Sequence, residues 1–242
     1  MDIDDHLALL AWEGQRLGDV AAATPMDAHI PGCPGWDVDA LLRHIGDVHR
    51  WAASVVRERA PERIRADFSG PSDRDPLLAW YRAGHAELLT ELRATTPDDR
   101  FWMWGDAPSP LAFWARRQAH ETAIHRLDAE QAAGLPSMFG AEAAADGVDE
   151  WLMLASRSRR AKVPDGRGRV LALHSTDSPS RWYATLDPDK LRVATDRRDA
   201  DCTVNAASGE LFALVLNRRD PDGLDVRGDA DVLRAWRESV RF

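Results

Sequence analysis

The sequence predicts a two-domain protein of the α plus α/β class, with a helical bundle over residues 1–160 and a small α+β domain over residues 161–242. In the first part, apolar residues recur at helical spacing, in segments that begin at capping residues and end at Gly or Pro. From Arg169 onward, short alternating segments typical of strands replace that spacing. A chain of 242 residues is long enough to bury a sizeable core and permits one domain or two.

Four long helices are predicted in the first domain. Asp37 is a favourable N-cap for the second helix, and Asp73 or Asp75 caps the third. The fourth begins near Ser109, with a Pro in its first turn, and stops at a Gly and Pro near residue 134. Helices of this length joined by moderate loops indicate a four-helix bundle. The predicted spans are about 3–22, 38–59, 74–96 and 110–134.

The second domain is predicted to contain a small, mostly antiparallel sheet. A fifth helix over about residues 141–161 leads to a boundary near residue 160. Several short strands and two helices follow in the order βββ(β)αβα, which indicates an α+β arrangement. The strands are predicted at 169–174, 181–186, 191–195, 201–205 and 224–226, and the helices at 209–217 and 229–240.

Charge and hydropathy exclude several classes of protein. The net charge is −9 and there is no long basic run, so nucleic acid is not expected as a partner. No apolar stretch approaches the ~20 residues of a membrane span, and the acidic start MDIDDHLALL is unlike a signal peptide. We therefore expect a cytoplasmic protein with no membrane partner. Cys33 and Cys202 form no metal or redox motif and are expected to be buried, unpaired thiols.

Three residues have the spacing expected of metal ligands. Glu121 and His125 are four residues apart on the fourth helix and share a face, as two ligands of one ion would. His44 lies on the apolar stripe of the second helix and is the best candidate for a third ligand. Two His and one Glu, with one position open for water or substrate, match a catalytic zinc site. The same residues are also compatible with a core histidine and an ordinary i,i+4 surface pair.

The segment beginning at His120 starts like the zinc-protease motif HExxH, but its second histidine is at the wrong spacing. The spacing is HExxxH rather than HExxH. Histidines five residues apart lie about 140° apart around a helix, so both cannot face one ion. A zincin-type protease is therefore excluded, and His120 is left as a neighbour of the site.

At these residues the chain resembles the mycothiol-dependent maleylpyruvate isomerase family. In that family a DinB-like metal-binding four-helix bundle precedes a small sterol-carrier-like domain. The family's metal ligands correspond to His44, Glu121 and His125, so the resemblance supports the trio selected by spacing. The resembling stretches are 33–38 (CPGWDV), 41–45 (LLRHI), 114–121 (WARRQAHE), 125–128 (HRLD), 208–211 (SGEL), 216–218 (LNR) and 224–229 (LDVRGD).

The resemblance implies zinc or another divalent metal and mycothiol as cofactors, with a small electrophile or unsaturated acid as substrate. A zinc-bound thiol is deprotonated and becomes a strong nucleophile, which suits cis–trans isomerisation or thiol S-transfer. Arg218 is the first candidate for a catalytic anion contact, with Arg219 as its rival; the family often has Gly where this chain has Asn217. Arg43 and Arg117 could also bind carboxylates. Four tryptophans could line a pocket between the domains or simply pack: Trp36, Trp102, Trp104 and Trp114.

Two other functions remain open at this stage. In a non-catalytic binding protein, the second domain would hold an apolar ligand and a fourth side chain, such as His120 or Cys33, would complete the metal site. In a hydrolase, zinc-bound hydroxide would act as the nucleophile, but no general base is identified. The oligomeric state and the exact substrate do not follow from the sequence.

Overall fold

The computed structural model describes residues 1–65, 69–158, 162–196 and 198–240. Contacts divide the chain into two compact units, Met1–Ser137 and Met138–Phe242. The helices of the described residues are α1 (Ile3–Ala23), α2 (Val38–Arg57), α3 (Arg74–Arg93), α4 (Pro110–Ala132), α5 (Ala141–Arg157), α6 (Ser208–Val215) and α7 (Ala230–Ser239). The strands are β1 (Arg169–Ser175), β2 (Arg181–Leu186), β3 (Arg192–Ala194), β4 (Cys202–Ala206) and β5 (Asp225–Gly228).

The first unit is a bundle of the four helices α1–α4, as predicted. α1 packs against α4, α2 packs against α3, and further contacts join α1 to α3 and α2 to α4. The predicted Asp37 cap of α2 forms, and Ser109 caps α4. Asp73 is the N-cap residue of α3, but its side chain makes no capping hydrogen bond, so this predicted cap is not formed. The Asp37 side chain accepts from Ala40 N at 2.8 Å, and Ser109 Oγ accepts from Ala112 N at 3.2 Å. These caps satisfy backbone donors that a helix start leaves unpaired.

Two apolar clusters form the core of the bundle. One contains Leu10, Val55 and Trp114, and the other contains Leu17, Leu41 and Tyr81, all of them buried. The helices approach closely: a Cβ added at Gly14 of α1 would lie 2.2 Å from the ring of His85 on α3. Such tight packing holds the helices, and the side chains they carry, in one arrangement.

The second unit contains a five-stranded sheet in the order β3-β2-β1-β4-β5. β1 pairs parallel with β4, and every other neighbouring pair is antiparallel, which confirms the mostly antiparallel sheet. The buried side chains of the second unit include Phe212, Trp182 and Trp236. The unit therefore has an apolar core of its own.

The division between the units differs from the predicted one. The boundary predicted near residue 160 lies outside the described residues, whereas the two units separate after Ser137. The reason is α5, which packs against α6 and so belongs to the second unit.

Among the residues that the structure describes, no helix is both long enough and apolar enough to cross a membrane.

Candidate metal centre

A tight turn before α2 places the first elements of the site. Cys33 N donates to Ile30 O, and Trp36 N donates to Cys33 O at 2.9 Å. Gly35 has a φ of +84°, a conformation that favours glycine. Ile30 N closes the turn by donating to Trp36 O at 3.0 Å. This loop conformation places Trp36 directly before the Asp37 cap. His44 lies on α2, two helical turns after that cap.

The three predicted ligands converge between α2 and α4. His44 Nε2 lies 3.4 Å from Glu121 Oε1, and His125 Nε2 lies 3.5 Å from the same oxygen. One ligand atom from each of the three residues lies within 4.8 Å of the others. In a tetrahedral zinc site with ligand distances of about 2.0–2.2 Å, neighbouring donor atoms are roughly 3.3–3.5 Å apart. The donor set therefore fits a small divalent cation.

The site is open to solvent on the His44 side. The side-chain exposures of His44, Glu121 and His125 are 36%, 22% and 7%. Within the described residues, neither His120 nor Cys33 belongs to this group of potential ligands. The arrangement thus offers three ligands and an accessible side, as the catalytic type of zinc site requires.

The electrostatics of the site favour positive charge. Burial alone would raise the pKa of Glu121, but the Arg117 guanidinium and hydrogen bonds from the two histidines hold that pKa well below its usual value. Burial alone would lower the pKa of His125, but hydrogen bonds and charges from Asp128 and Glu121 raise it to about 9. The His125 ring thus lies between two carboxylates, in a region that stabilises positive charge.

Arg117 controls which Glu121 oxygen faces the histidines. Its guanidinium donates to Glu121 Oε2, four residues along the same helix. That bond leaves Oε1 directed toward the two imidazoles. Arg117, one of the arginines predicted to bind a substrate carboxylate, binds the carboxylate of Glu121 in the structure.

Three further side chains surround the histidines. The Trp36 ring lies 4.9 Å from that of His44 and stacks at 6.1 Å on that of His125. His125 Nδ1 is 2.9 Å from Asp128 Oδ2, and Cys33 Sγ donates to the same oxygen at 3.4 Å. Cys33 is predicted as a buried thiol or, in a binding protein, as a fourth metal ligand, and its contact with Asp128 does not follow from the sequence. Asp128 has no predicted role, although it follows His125 by three residues and shares its face.

Other predicted neighbours lie away from the three ligands. His120 is buried, with its ring 5.7 Å from that of His6 on α1. Arg43 binds Asp39 and donates to the carbonyls of Gly70 and Pro71, so it ties α2 to the following loop.

Of the four tryptophans considered for a pocket, Trp102 and Trp114 belong to the bundle core, whereas Trp104 packs beside them and is 41% exposed. Trp114 is fully buried, and its Nε1 donates to Trp102 O at 2.9 Å. The ring of Trp104 lies 5.2 Å from that of Trp114, and Trp51 joins the same cluster. Trp36 alone among the four contacts the candidate ligands.

Arg218 lies in the second unit, directly after α6. Its backbone N donates to Ala213 O at 2.7 Å and its Nη1 to Leu216 O at 2.9 Å. Arg219 pairs with Glu210. The assignment of Arg218 to anion binding stays a prediction.

The fold and the site define a class: a four-helix bundle with a candidate metal centre of two histidines and one glutamate, followed by a small α+β unit. The model of the mycothiol maleylpyruvate isomerase N-terminal domain matches residues 7–130, just over half of the chain. The chain therefore belongs to the mycothiol-dependent maleylpyruvate isomerase family. The model of the SCP-2 sterol transfer family matches residues 148–234, which lie within the second unit.

Two solved structures have the same fold over the whole chain. One is a mycothiol-dependent maleylpyruvate isomerase, with a TM-score of 0.68 and 14% identity, covering 100% of this chain and 98% of that one. The other is a histidine-to-alanine mutant of a protein of that name, with the same TM-score and coverage and 13% identity. At these identities the likeness shows the fold. No curated protein matches the sequence.

Proposed function

We propose that this protein is a thiol-dependent metalloenzyme that uses mycothiol and a divalent metal, with zinc as the first candidate. Its reaction would be cis–trans isomerisation of a small unsaturated acid or transfer of the thiol to a small electrophile. Both reactions begin with a bond between the thiol sulfur and an electrophilic carbon. Isomerisation releases the thiol again, whereas S-transfer retains it in the product.

One observation carries the proposal: His44 Nε2 and His125 Nε2 lie 3.4 and 3.5 Å from the same Glu121 oxygen on an accessible side of the bundle. A divalent ion held by these three groups would keep a coordinating thiol as its thiolate at neutral pH. Membership of the mycothiol-dependent family and the shared fold support mycothiol as that thiol.

The chain's own residues would prepare the site in three ways. Arg117 holds Glu121 Oε2 and so fixes Oε1 toward the two imidazoles. Trp36 lies against both histidine rings and restricts their rotation. The part-exposed His44 leaves a path for a thiol and a small substrate. Positioning of this kind lowers the cost of bringing two reactants together.

The first test is metal binding by the full-length chain. We expect the parent protein to bind one equivalent of zinc, and His44→Ala and His125→Ala to weaken that binding by at least about 100-fold, since each removes one of three ligands. His29→Ala, at an exposed position outside the group, is the matched control and should bind zinc like the parent. Variants that keep a full equivalent of tightly bound zinc would rule out this ligand set.

The second test is turnover of the zinc-loaded protein with mycothiol. Maleylpyruvate is the first substrate, followed by a panel of small thiol-reactive electrophiles. We expect mycothiol-dependent product formation that His125→Ala abolishes. Product formed equally well without thiol would contradict the proposal.

A second candidate function rests on the match between the second unit and the sterol transfer family. In that case the protein binds an apolar ligand and its metal is structural. Zinc binding without thiol-dependent turnover on any member of the panel, together with retention of an apolar fluorescent ligand, would favour this candidate.

A further inference from the structure

Asp128 is buried next to His125, and the metal ligation proposed above leaves it without a role. It has no exposed side-chain surface, and its Oδ2 lies 2.9 Å from His125 Nδ1. A buried carboxylate is costly unless its lone pairs are used. Cys33 Sγ, from the turn before α2, donates to the same oxygen at 3.4 Å.

This geometry determines which nitrogen of His125 is available to a cation. A carboxylate oxygen accepts hydrogen bonds, so the proton of the neutral imidazole is held on Nδ1. The lone pair is then on Nε2, the nitrogen that faces Glu121 Oε1 at 3.5 Å. Without Asp128, both tautomers and a rotated ring become accessible, and only part of the population would present Nε2.

The same oxygen determines what Cys33 does. The Cys33 thiol donates to Asp128, and among the described residues its sulfur is not one of the ligand atoms that converge with those of His44, Glu121 and His125. Cys33 also links the turn that carries Trp36 to α4. The fourth position of the site is thereby kept for an external thiol.

We propose that Asp128 is a positioning residue that fixes the His125 tautomer for metal binding and holds the Cys33 thiol as a hydrogen-bond donor. This inference rests on the proposed function, because it assumes that His125 Nε2 binds the metal. It goes further by assigning roles to two residues outside the proposed ligand set and by assigning Cys33 as a hydrogen-bond donor and not a metal ligand.

The test compares zinc affinities of full-length variants, measured by competition with a chromogenic chelator. We expect Asp128→Ala to weaken zinc binding by about 10–100-fold, the usual effect of losing such a partner. Asp128→Asn keeps an acceptor oxygen but loses the negative charge, and should weaken binding by about three- to tenfold. Glu130→Gln is the matched control: it also converts a buried carboxylate of α4 to an amide, but one bound by Arg126, and should change affinity less than twofold.

Two results would overturn the inference. One is wild-type zinc affinity in Asp128→Ala, or in Asp128→Asn should the alanine variant not fold. The other is an equal loss in Glu130→Gln, which would mark the effect as general destabilisation of α4. If the parent binds no zinc, the proposed function fails; if His125→Ala loses zinc and Asp128→Ala does not, only this inference fails.

Spectroscopy tests the two roles separately. Long-range ¹H–¹⁵N spectra of the zinc-loaded parent should show His125 protonated at Nδ1, and Asp128→Ala should lose or broaden that signal. With Co²⁺ in place of zinc, the parent should lack a thiolate-to-metal charge-transfer band until an external thiol is added. A band present without added thiol and absent in Cys33→Ser would make Cys33 a metal ligand and refute the proposal.

Discussion

Asn217 shows how one side chain can replace a glycine and add a contact. The resembling family often has Gly at this position, directly after α6. Asn217 has a φ of +59°, the left-handed region that Gly tolerates best and Asn next. Asn217 N donates to Leu214 O and Arg218 N to Ala213 O, the bond pair of a Schellman motif. The Asn217 side chain also donates to Arg237 O and Val240 O at the end of α7.

This arrangement predicts the order of stability of Asn217 variants. Asn217→Ala should lower the free energy of unfolding by about 1–3 kcal/mol, because it combines left-handed strain with two lost hydrogen bonds. Asn217→Gly removes only the hydrogen bonds and should cost about 0.5–1.5 kcal/mol. Urea denaturation of both variants measures the difference. Equal stability of the Ala and Gly variants would show that backbone conformation does not determine the choice of residue here.

Single residues also show what spacing can predict and what it cannot. Helical periodicity predicts faces for His44, Glu121 and His125 that the structure brings together, because the direction of a side chain on a helix follows from its position. The contact of Asp128 with His125 follows from their i,i+3 spacing on α4, but its contact with Cys33 depends on how a loop meets that helix, which no local pattern specifies. Arg43 was open to a substrate role because the carbonyls that it binds lie nearly thirty residues away in sequence.

At the level of elements, a buried ionic network joins α1 to α4. Arg126 of α4 donates to Glu13 of α1 with Nε at 2.6 Å, and to Glu130 with Nη1 at 2.6 Å. Side-chain exposures of Arg126, Glu13 and Glu130 are 1%, 2% and 4%. Burial raises the pKa of Glu13 despite the guanidinium beside it. The network ties α4 to α1 through Arg126 and Glu13.

Removal of the central arginine should be far more damaging than removal of a peripheral one. Arg126→Met leaves two carboxylates buried and should cost about 3–5 kcal/mol of unfolding free energy. Arg16, which also binds Glu130, is 42% exposed, so Arg16→Met should cost less than about 1 kcal/mol. Chemical denaturation of the two variants tests this. A loss below 1 kcal/mol for Arg126→Met would mean that the network adds nothing to stability.

The four helices also enclose two histidines that are buried in the neutral form. Thr122 Oγ1 donates to Gln118 O, so His49 Nε2–H donates to Thr122 Oγ1 at 2.9 Å. Among described residues His49 Nδ1 has no hydrogen-bond partner, so a proton there would be buried without an acceptor. Burial, with the neighbouring His85, holds the pKa of His49 well below its usual value, and burial also lowers that of His85.

The bundle should therefore lose stability in mild acid. Because both folded-state pKa values are lowered, the unfolded chain binds more protons as the pH falls below about 6.5. Stability is present above that pH and decreases below it, by at most about 1.4 kcal/mol per pH unit for each histidine. His49→Gln should reduce the slope of unfolding free energy between pH 6.5 and 5, and exposed His29→Gln should not. An unchanged slope in His49→Gln would show that His49 is not a source of the acid sensitivity.

On the scale of the whole molecule, the elements were more predictable than their grouping. Caps and periodicity located the helices and strands because those signals are local. The grouping of α5 depends on long-range packing. Its sequence pattern predicts an amphipathic helix but does not predict which surface that helix packs against. Its contacts with α6 place it in the second unit, and the break follows Ser137. The parallel pairing of β1 with β4 is equally a long-range feature.

The position of that break leads to a prediction about the isolated first unit. Residues 1–137 contain both apolar clusters of the bundle, the three candidate ligands, and Asp128 with Cys33. A unit with its own core can fold alone. We expect the 1–137 fragment to be helical by circular dichroism and to unfold cooperatively. It should bind one zinc with an affinity within about threefold of that of the full chain, because the ligands and their hydrogen-bond partners are retained. His125→Ala in the fragment is the control and should abolish binding. A folded fragment with tenfold weaker zinc binding would show that residues beyond 137 contribute to the centre.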